Sequence, residues 1–271
     1  MKIQSKIFNH DYKVAKLTKL AKTGKYSAPR LAKIFSCNRK TVFRALEEIK
    51  VCLPNLGRFK KKIYCNEKFF INICPVSAYW AGFIAADGCL SNRDKSVIIA
   101  LNKRDAGHLR KFITAIKTNA KIGFVKSNNS ARASVYSKVL FESLVRIGVT
   151  PNKSLSISSV KYPLRLRSHF IRGVFEGDGW ISGRKVTHIQ LGIAGNKPFL
   201  QHIQNTLMRS CDISKTKLYP LSDTGRAYKL QYTGQQIFKI LDFLYKDSSD
   251  KIRLDRKYQK VLGFKGKFQN N

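Results

Sequence analysis

Two nine-residue stretches decide how this chain is read: Trp80-Ala81-Gly82-Phe83-Ile84-Ala85-Ala86-Asp87-Gly88 and Ile171-Arg172-Gly173-Val174-Phe175-Glu176-Gly177-Asp178-Gly179. Aligned without a gap, both run x-x-Gly-apolar-apolar-x-small-Asp-Gly, with the aspartates 91 residues apart. Gly82 and Ala86 are four apart, as are Gly173 and Gly177, so a helix at either place carries a face of small residues. Such faces let two helix backbones approach closely. Phe83, Ile84, Val174 and Phe175 are then free to pack into the cores of their halves. Asp87 and Asp178 fall at the helix C-termini, each followed by a glycine expected in the left-handed conformation that often ends a helix. If the helices pair about a pseudo-two-fold axis, both carboxylates emerge side by side at one end.

The residues that follow repeat as well. After Asp87 come GCLSN, the alternating SVIIAL, an amphipathic AGHLRKFITAIKT, the strand-like KIGFVKS and ARASVYS, and a second amphipathic run, KVLFESLVRIG. After Asp178 come GWISG, HIQLGIA, NKPFLQHIQNTLMR, TKLYPL, AYKLQYT and QQIFKILDFLY. The order α-β-α-β-β-α therefore occurs twice, with room for one more strand directly after each motif. The predicted fold is α+β: two curved antiparallel sheets around a central helix pair.

Charge points to the partner. Lys and Arg number 52 and Asp and Glu 16, a formal balance of +36 over 271 residues, while 43% of residues are hydrophobic and can build a core. Such an excess marks a polyanion as partner. Against that background a carboxylate at a helix C-terminus is doubly costly, opposed by the helix dipole and by any phosphate it faces. A divalent cation reverses the sign, because protein and phosphate oxygens share it. Two such ions beside two phosphates would polarise the phosphoryl groups and activate water.

At this point the two stretches resemble the paired motifs of the single-chain, two-motif LAGLIDADG homing endonucleases, and the resemblance covers about residues 75–262. It implies a site-specific endonuclease that makes a staggered, Mg²⁺-dependent (or other divalent-cation-dependent) double-strand cut in long target DNA. The sheets would read the major groove, and Asp87 and Asp178 would bind metal. It further implies a basic and a polar residue in each half to polarise water. In the first half Lys153, within Pro151-Asn152-Lys153-Ser154, and Asn102 match these positions. In the second half Lys257 is the better match, with Lys251 as runner-up, and the polar residue is either Gln190 or Asn196. Lys153 and Lys257 read equally well as phosphate contacts. The sixth motif position holds Ala85 in one half and Glu176 in the other, and the resemblance makes neither essential.

The first 74 residues hold 18 basic and 4 acidic side chains. A helix is predicted from Asp11 with Val14, Leu17 and Leu20 on one side and Gly24 as its stop. A second follows, with Ser27 as cap and Pro29 in its first turn. The turn Ser36-Cys37-Asn38 leads to a third, striped by Val42, Leu46 and Ile49. This arrangement resembles a helix-turn-helix, with Ser36 where that motif usually has glycine. The resemblance implies that Asn38, Arg39, Lys40 and Arg44 enter a DNA groove. Residues 54–74 read as a basic linker in which Arg58, Lys60, Lys61 and Lys62 lie along phosphates.

The expected organisation is thus a helix-turn-helix domain (1–53), the linker (54–74) and an endonuclease core (75–271) with halves 75–165 and 166–271. Six cysteines without CxxC spacing predict reduced thiols and no zinc site. No apolar run reaches membrane-spanning length, and the opening residues do not read as a secretion signal, so a cytoplasmic location (or a phage-infected host cytoplasm or organelle) is expected. The single-chain, two-motif resemblance implies a monomer needing no protein partner. The rival readings are an RNA-binding intron maturase and a non-cutting DNA-binding regulator of the same fold.

Overall fold

The computed structural model of the chain describes residues 11–51, 53, 63–183, 188–221 and 225–269. The basic run Arg58, Lys60, Lys61 and Lys62 lies outside the described residues. Residues 1–62 form one compact unit and residues 63–271 another. The stretch 63–74, expected as part of a linker, belongs to the larger unit, because Phe69 and Phe70 are buried in its core.

The smaller unit has three helices, α1 (Asp11–Lys22), α2 (Ala28–Ile34) and α3 (Arg39–Glu48). Leu17, Ala21, Leu31, Ala32, Val42, Ala45 and Leu46 make its core. Ser27 stands at the N-cap of α2 but its side chain makes no capping bond, contrary to expectation; Pro29 alone marks that start. Asn38 does cap α3, its Oδ1 accepting the Lys40 N–H at 2.7 Å. Ser36 takes φ = 48°, the left-handed conformation that the turn requires and that glycine would adopt more easily.

In the larger unit the motif stretches form α4 (Pro75–Asp87) and α8 (Arg167–Asp178). Pro75 sits in the first turn of α4, and Ser77 and Cys74 exchange backbone and side-chain bonds that close its N-terminus. From Ser77 to Ala86 every residue of α4 is buried, as is every residue from His169 to Glu176 in α8. A helix buried all round, α4 almost wholly apolar and α8 also carrying the buried polar residues His169, Arg172 and Glu176, has to be enclosed on every side. Each does so by lying against the other between two sheets.

The sheets repeat the same topology. Strands β1 (Gly88–Ser91), β2 (Ser96–Asn102), β3 (Gly123–Val125) and β4 (Ser130–Tyr136) are ordered β1-β2-β4-β3. Strands β5 (Gly179–Ser182), β6 (Gln190–Gly195), β7 (Leu218–Pro220) and β8 (Tyr228–Thr233) are ordered β5-β6-β8-β7. All pairings are antiparallel, and Gly88 pairs with Ile99 as Gly179 pairs with Ile193. Alternation sets the faces: Ala131, Ala133 and Val135 are buried while Arg132 and Tyr136 are exposed. Helices α5 (Ala106–Ala115) and α6 (Lys138–Arg146) belong to the first half, α9 (Lys197–Cys211) and α10 (Gln236–Tyr245) to the second. Each half ends in a helix not anticipated as such, α7 (Lys153–Ser156) and α11 (Asp255–Gln269). The polar, glycine-interrupted sequence of α11 hides its period.

One expectation about the motifs is overturned. Gly88 and Gly179 are extended, at φ = −81° and −94°, not left-handed. The chain passes straight from helix into strand there. Glycine is demanded by space: a Cβ on Gly88 would lie 2.6 Å from the Ile84 side chain, and one on Gly179 2.4 Å from that of Phe175.

Candidate active site at the helix-pair junction

Small residues bring α4 and α8 together, and they do so reciprocally. A Cβ on Gly82 would fall 1.9 Å from the carbonyl oxygen of Phe170, and one on Gly173 2.2 Å from that of Tyr79. Tyr79 and Phe170 hold equivalent motif positions, so each glycine accepts the matching carbonyl of the other helix. Near the C-termini, a Cβ on Gly177 would lie 2.3 Å from the Ala86 Cβ and 3.4 Å from the Asp87 carboxyl carbon. Asp87 and Asp178 therefore leave the pair at the same end, beside each other.

Both carboxylates are exposed to solvent, though neighbouring protein still desolvates them in part. Burial pushes the Asp178 carboxyl up to about 6, and the Asp87 charge adds to the rise, while Lys153 and Lys257 oppose it. Burial also raises Asp87, with Lys257 and Lys153 pulling it down and Asp105 pushing it up. The lysines respond in the opposite sense. Burial lowers Lys257 to about 8 and lowers Lys153 as well, and the aspartates hold both up. Two carboxylates and two ammonium groups thus form one electrostatically coupled, partly desolvated cluster.

Each lysine is anchored to the motif of its own half. Lys153 Nζ donates to the carbonyl of Ala86. Lys257 Nζ donates to the carbonyls of Phe175, Gly177 and Gly179 at 2.9, 3.1 and 2.5 Å. Ala86 and Gly177 are equivalent positions, so the pseudo-symmetry extends to the lysines. Lys251, the runner-up, instead lines a cavity with Cys74 and Val76 at the N-terminal end of α4.

Asn102 is exposed and caps the single turn Lys103–Asp105 through its Oδ1, and no described contact joins it to the four charged groups. Its counterpart after β6 is Asn196, not Gln190, which begins that strand. Asn196 caps α9 and donates from Nδ2 to the carbonyl of Ile157 at 2.8 Å. With Lys153, Asp178 and Phe199 it lines a cavity of about 290 Å³ opening beside the carboxylates. Sequence reasoning missed Asp105 and Arg256, whose bidentate pair (3.1 and 3.0 Å) crosses between the halves near Asp87. They are 151 residues apart, and no local pattern announces such a pairing.

The donor set suits a hard cation. Among the described residues no group of three or more His, Cys, Asp or Glu side chains converges on one point. Two carboxylates left short of full compensation do converge. Mg²⁺ is commonly held by one or two carboxylates completed by water and substrate phosphate.

On the smaller unit, Arg39, Lys40 and Arg44 are exposed along α3 together with Phe43, over whose ring the Arg39 guanidinium sits at 5.3 Å. In the sheets, the solvent-facing sides carry Arg132 and Tyr136 in one half and Lys229, Gln231 and Thr233 in the other. No described helix is long and apolar enough to cross a membrane.

No protein-family model matches the chain. A probable translation initiation factor IF-2 of Methanocaldococcus jannaschii is 23% identical over 210 residues, 68% of this chain. The match spans only 18% of that protein. Among solved structures, the N-terminal LAGLIDADG domain of DUF199/WhiA covers 68% of this chain and 91% of its own, at 18% identity and a TM-score of 0.46. Mesophilic variants of the homing endonuclease I-DmoI cover 64% of this chain and 97% of their own, at 19% identity and a TM-score of 0.46.

Proposed function

We propose that residues 63–271 form a LAGLIDADG-type DNA endonuclease that cuts both strands of a long target, using Mg²⁺ or another divalent cation. The carrying observation is the pairing of Asp87 and Asp178 at one end of a backbone-close helix pair, with a lysine from each half beside them. A protein that only bound nucleic acid would gain nothing from two carboxylates raised in pKa at the centre of a chain of net charge +36. Asp87 and Asp178 would hold the cation, which would supply charge neutralisation at the scissile phosphate and a more acidic water. Lys153 and Lys257, fixed by backbone carbonyls, would hold a positive charge beside the aspartates, close to where the phosphate of each strand would lie. The basic and polar sheet faces would lie in the major groove.

For residues 1–53 we propose a helix-turn-helix that places α3 in an adjacent groove, supported by the left-handed turn at Ser36 and by exposed Arg39, Lys40 and Arg44. The whole would act as a monomer on double-stranded DNA without a protein partner. The test is a supercoiled plasmid carrying the gene's two flanks joined as if the gene were absent. Linear product in Mg²⁺, none in EDTA and none with Asp87→Asn or Asp178→Asn supports the reading. Tight binding without cutting under all conditions would assign the chain to a non-cutting regulator.

A further inference from the structure

Glu176 is buried beside the site. It sits one position before Gly177 in α8 and is 1% exposed. Its carboxylate accepts three hydrogen bonds, from Tyr79 Oη at 2.5 Å, Tyr245 Oη at 2.9 Å and the Leu254 backbone N–H at 2.6 Å. Leu254 immediately precedes α11, and Lys257 lies three residues further on. One turn earlier in α8, Arg172 donates to the carbonyls of Ile252 (3.0 Å) and Leu244 (2.6 Å), holding the connection between α10 and α11 from the other side. Side chains of α8 therefore grip the chain just before α11, while the carbonyls of Phe175, Gly177 and Gly179 take the Lys257 ammonium.

The first half has no such arrangement. The positions equivalent to Glu176, Arg172 and Tyr79 are Ala85, Ala81 and Phe170. Lys153 is held by the Ala86 carbonyl, on a four-residue helix that begins after Asn152 in the left-handed conformation. Alanines at these places show that the motif helix can be enclosed without buried charge, and burying a carboxylate is costly unless it is fully bonded. This one is bonded to the start of the element that carries Lys257.

We propose that Glu176, with Tyr79 and Tyr245, is a positioning residue that sets Lys257 for the second half's strand alone, leaving the two half-sites mechanically unequal. This rests on the endonuclease reading for its effect on rate, but not for its effect on α11. Displacement of a reacting group by about 1 Å costs on the order of 100-fold in rate.

The test uses the full chain in two measurements. In the metal-free protein without DNA, amide hydrogen exchange is followed at 254–258 and 153–157. Glu176→Leu should raise exchange at 254–258 by at least about tenfold and leave 153–157 unchanged. On the joined-flank plasmid with Mg²⁺ and separately labelled strands, Glu176→Leu should slow one strand by on the order of 100-fold, the same strand that Lys257→Met slows. Combined with Lys257→Met it should add nothing further, and combined with Lys153→Met the effects should multiply. Glu176→Gln, which still accepts the Leu254 N–H, should keep both strands within about tenfold of wild type. Tyr245→Phe is the milder probe should Glu176→Leu fail to fold, and it should bias the same strand. Unchanged exchange at 254–258, equal slowing of both strands, or a full multiplicative effect with Lys257→Met each overturns the proposal. A wild-type chain that leaves the plasmid intact sinks the endonuclease reading, and exchange alone then decides whether Glu176 holds α11.

Discussion

Substitution Gly173→Ala separates the helix pair's role in stability from its role in chemistry. The added Cβ would meet Tyr79 O at 2.2 Å and Phe83 N at 2.6 Å, where ordinary contact begins at 3.4 Å. Both neighbours are backbone atoms of α4 and cannot rotate aside, so the helices must part by about 1 Å at the crossing. Overpacking of this kind costs up to about 3 kcal/mol, and the better helix propensity of alanine returns about 1 kcal/mol. A net loss of about 2 kcal/mol lowers the melting temperature of a unit this size by about 4–8 °C. The same separation moves Asp178 relative to Asp87, which should slow cutting by on the order of 100-fold even well below the melting temperature. Circular-dichroism melting and single-turnover cleavage measure the two effects. Gly82→Ala, blocked at 1.9 Å by Phe170 O, should match it. Gly263→Ala in α11, where a Cβ meets nothing within 4 Å, should melt slightly higher and cut normally. If Gly173→Ala melts and cuts like wild type, the backbone-close pairing is wrong.

Other predictions concern the site's charges. Asp178 is raised from 3.8 to about 6, so the folded state binds its proton more tightly than the unfolded state. Stability is therefore lost as pH climbs from about 4 to about 6, and the penalty stays in place above that. The rise corresponds to at most about 3 kcal/mol, cut to about 1 kcal/mol because the carboxylate reaches water. Without metal, Asp178→Asn should melt about 2–4 °C higher than wild type at pH 7.5 and no higher at pH 4; a variant less stable at neutral pH contradicts a carboxylate disfavoured by desolvation and by the Asp87 charge. Ca²⁺ should support binding with little or no cutting, and efficient cutting in Ca²⁺ would speak against a role for Mg²⁺ in activating water. Lys153→Met should slow single-turnover cutting more than it weakens binding; the reverse would make Lys153 a phosphate anchor. Removing residues 1–62, which carry 17 basic and 3 acidic side chains, should flatten the salt dependence of binding by about 4–5 if roughly five phosphate contacts are lost. It should also shorten the DNA footprint on one side, and an unchanged slope would remove the smaller unit from the DNA.

The duplication, the order of elements, the pairing of the motif helices and the placing of Asp87 and Asp178 were all legible from the chain. They are written in local spacing: small residues four apart, strands alternating every second residue, and one pattern repeated after 91 positions. Lys153 was singled out only by resemblance, through Pro151-Asn152-Lys153-Ser154, and not by any periodicity. The tertiary structure alone showed which carbonyls hold Lys257, made Asn196 the counterpart of Asn102, and joined Asp105 to Arg256 across 151 residues. It also decided why Gly88 and Gly179 are glycine, since the obstruction is the residue one turn back, side chain and backbone alike, and not a left-handed backbone. Glu176 shows the division most clearly. In the sequence it is a departure from the motif, and only folding brings Tyr79, Tyr245 and Leu254 to its carboxylate from 97, 69 and 78 residues away. Periodicity records what a residue does along its own helix or strand, whereas hydrogen bonds between distant segments exist only once the core has closed around them.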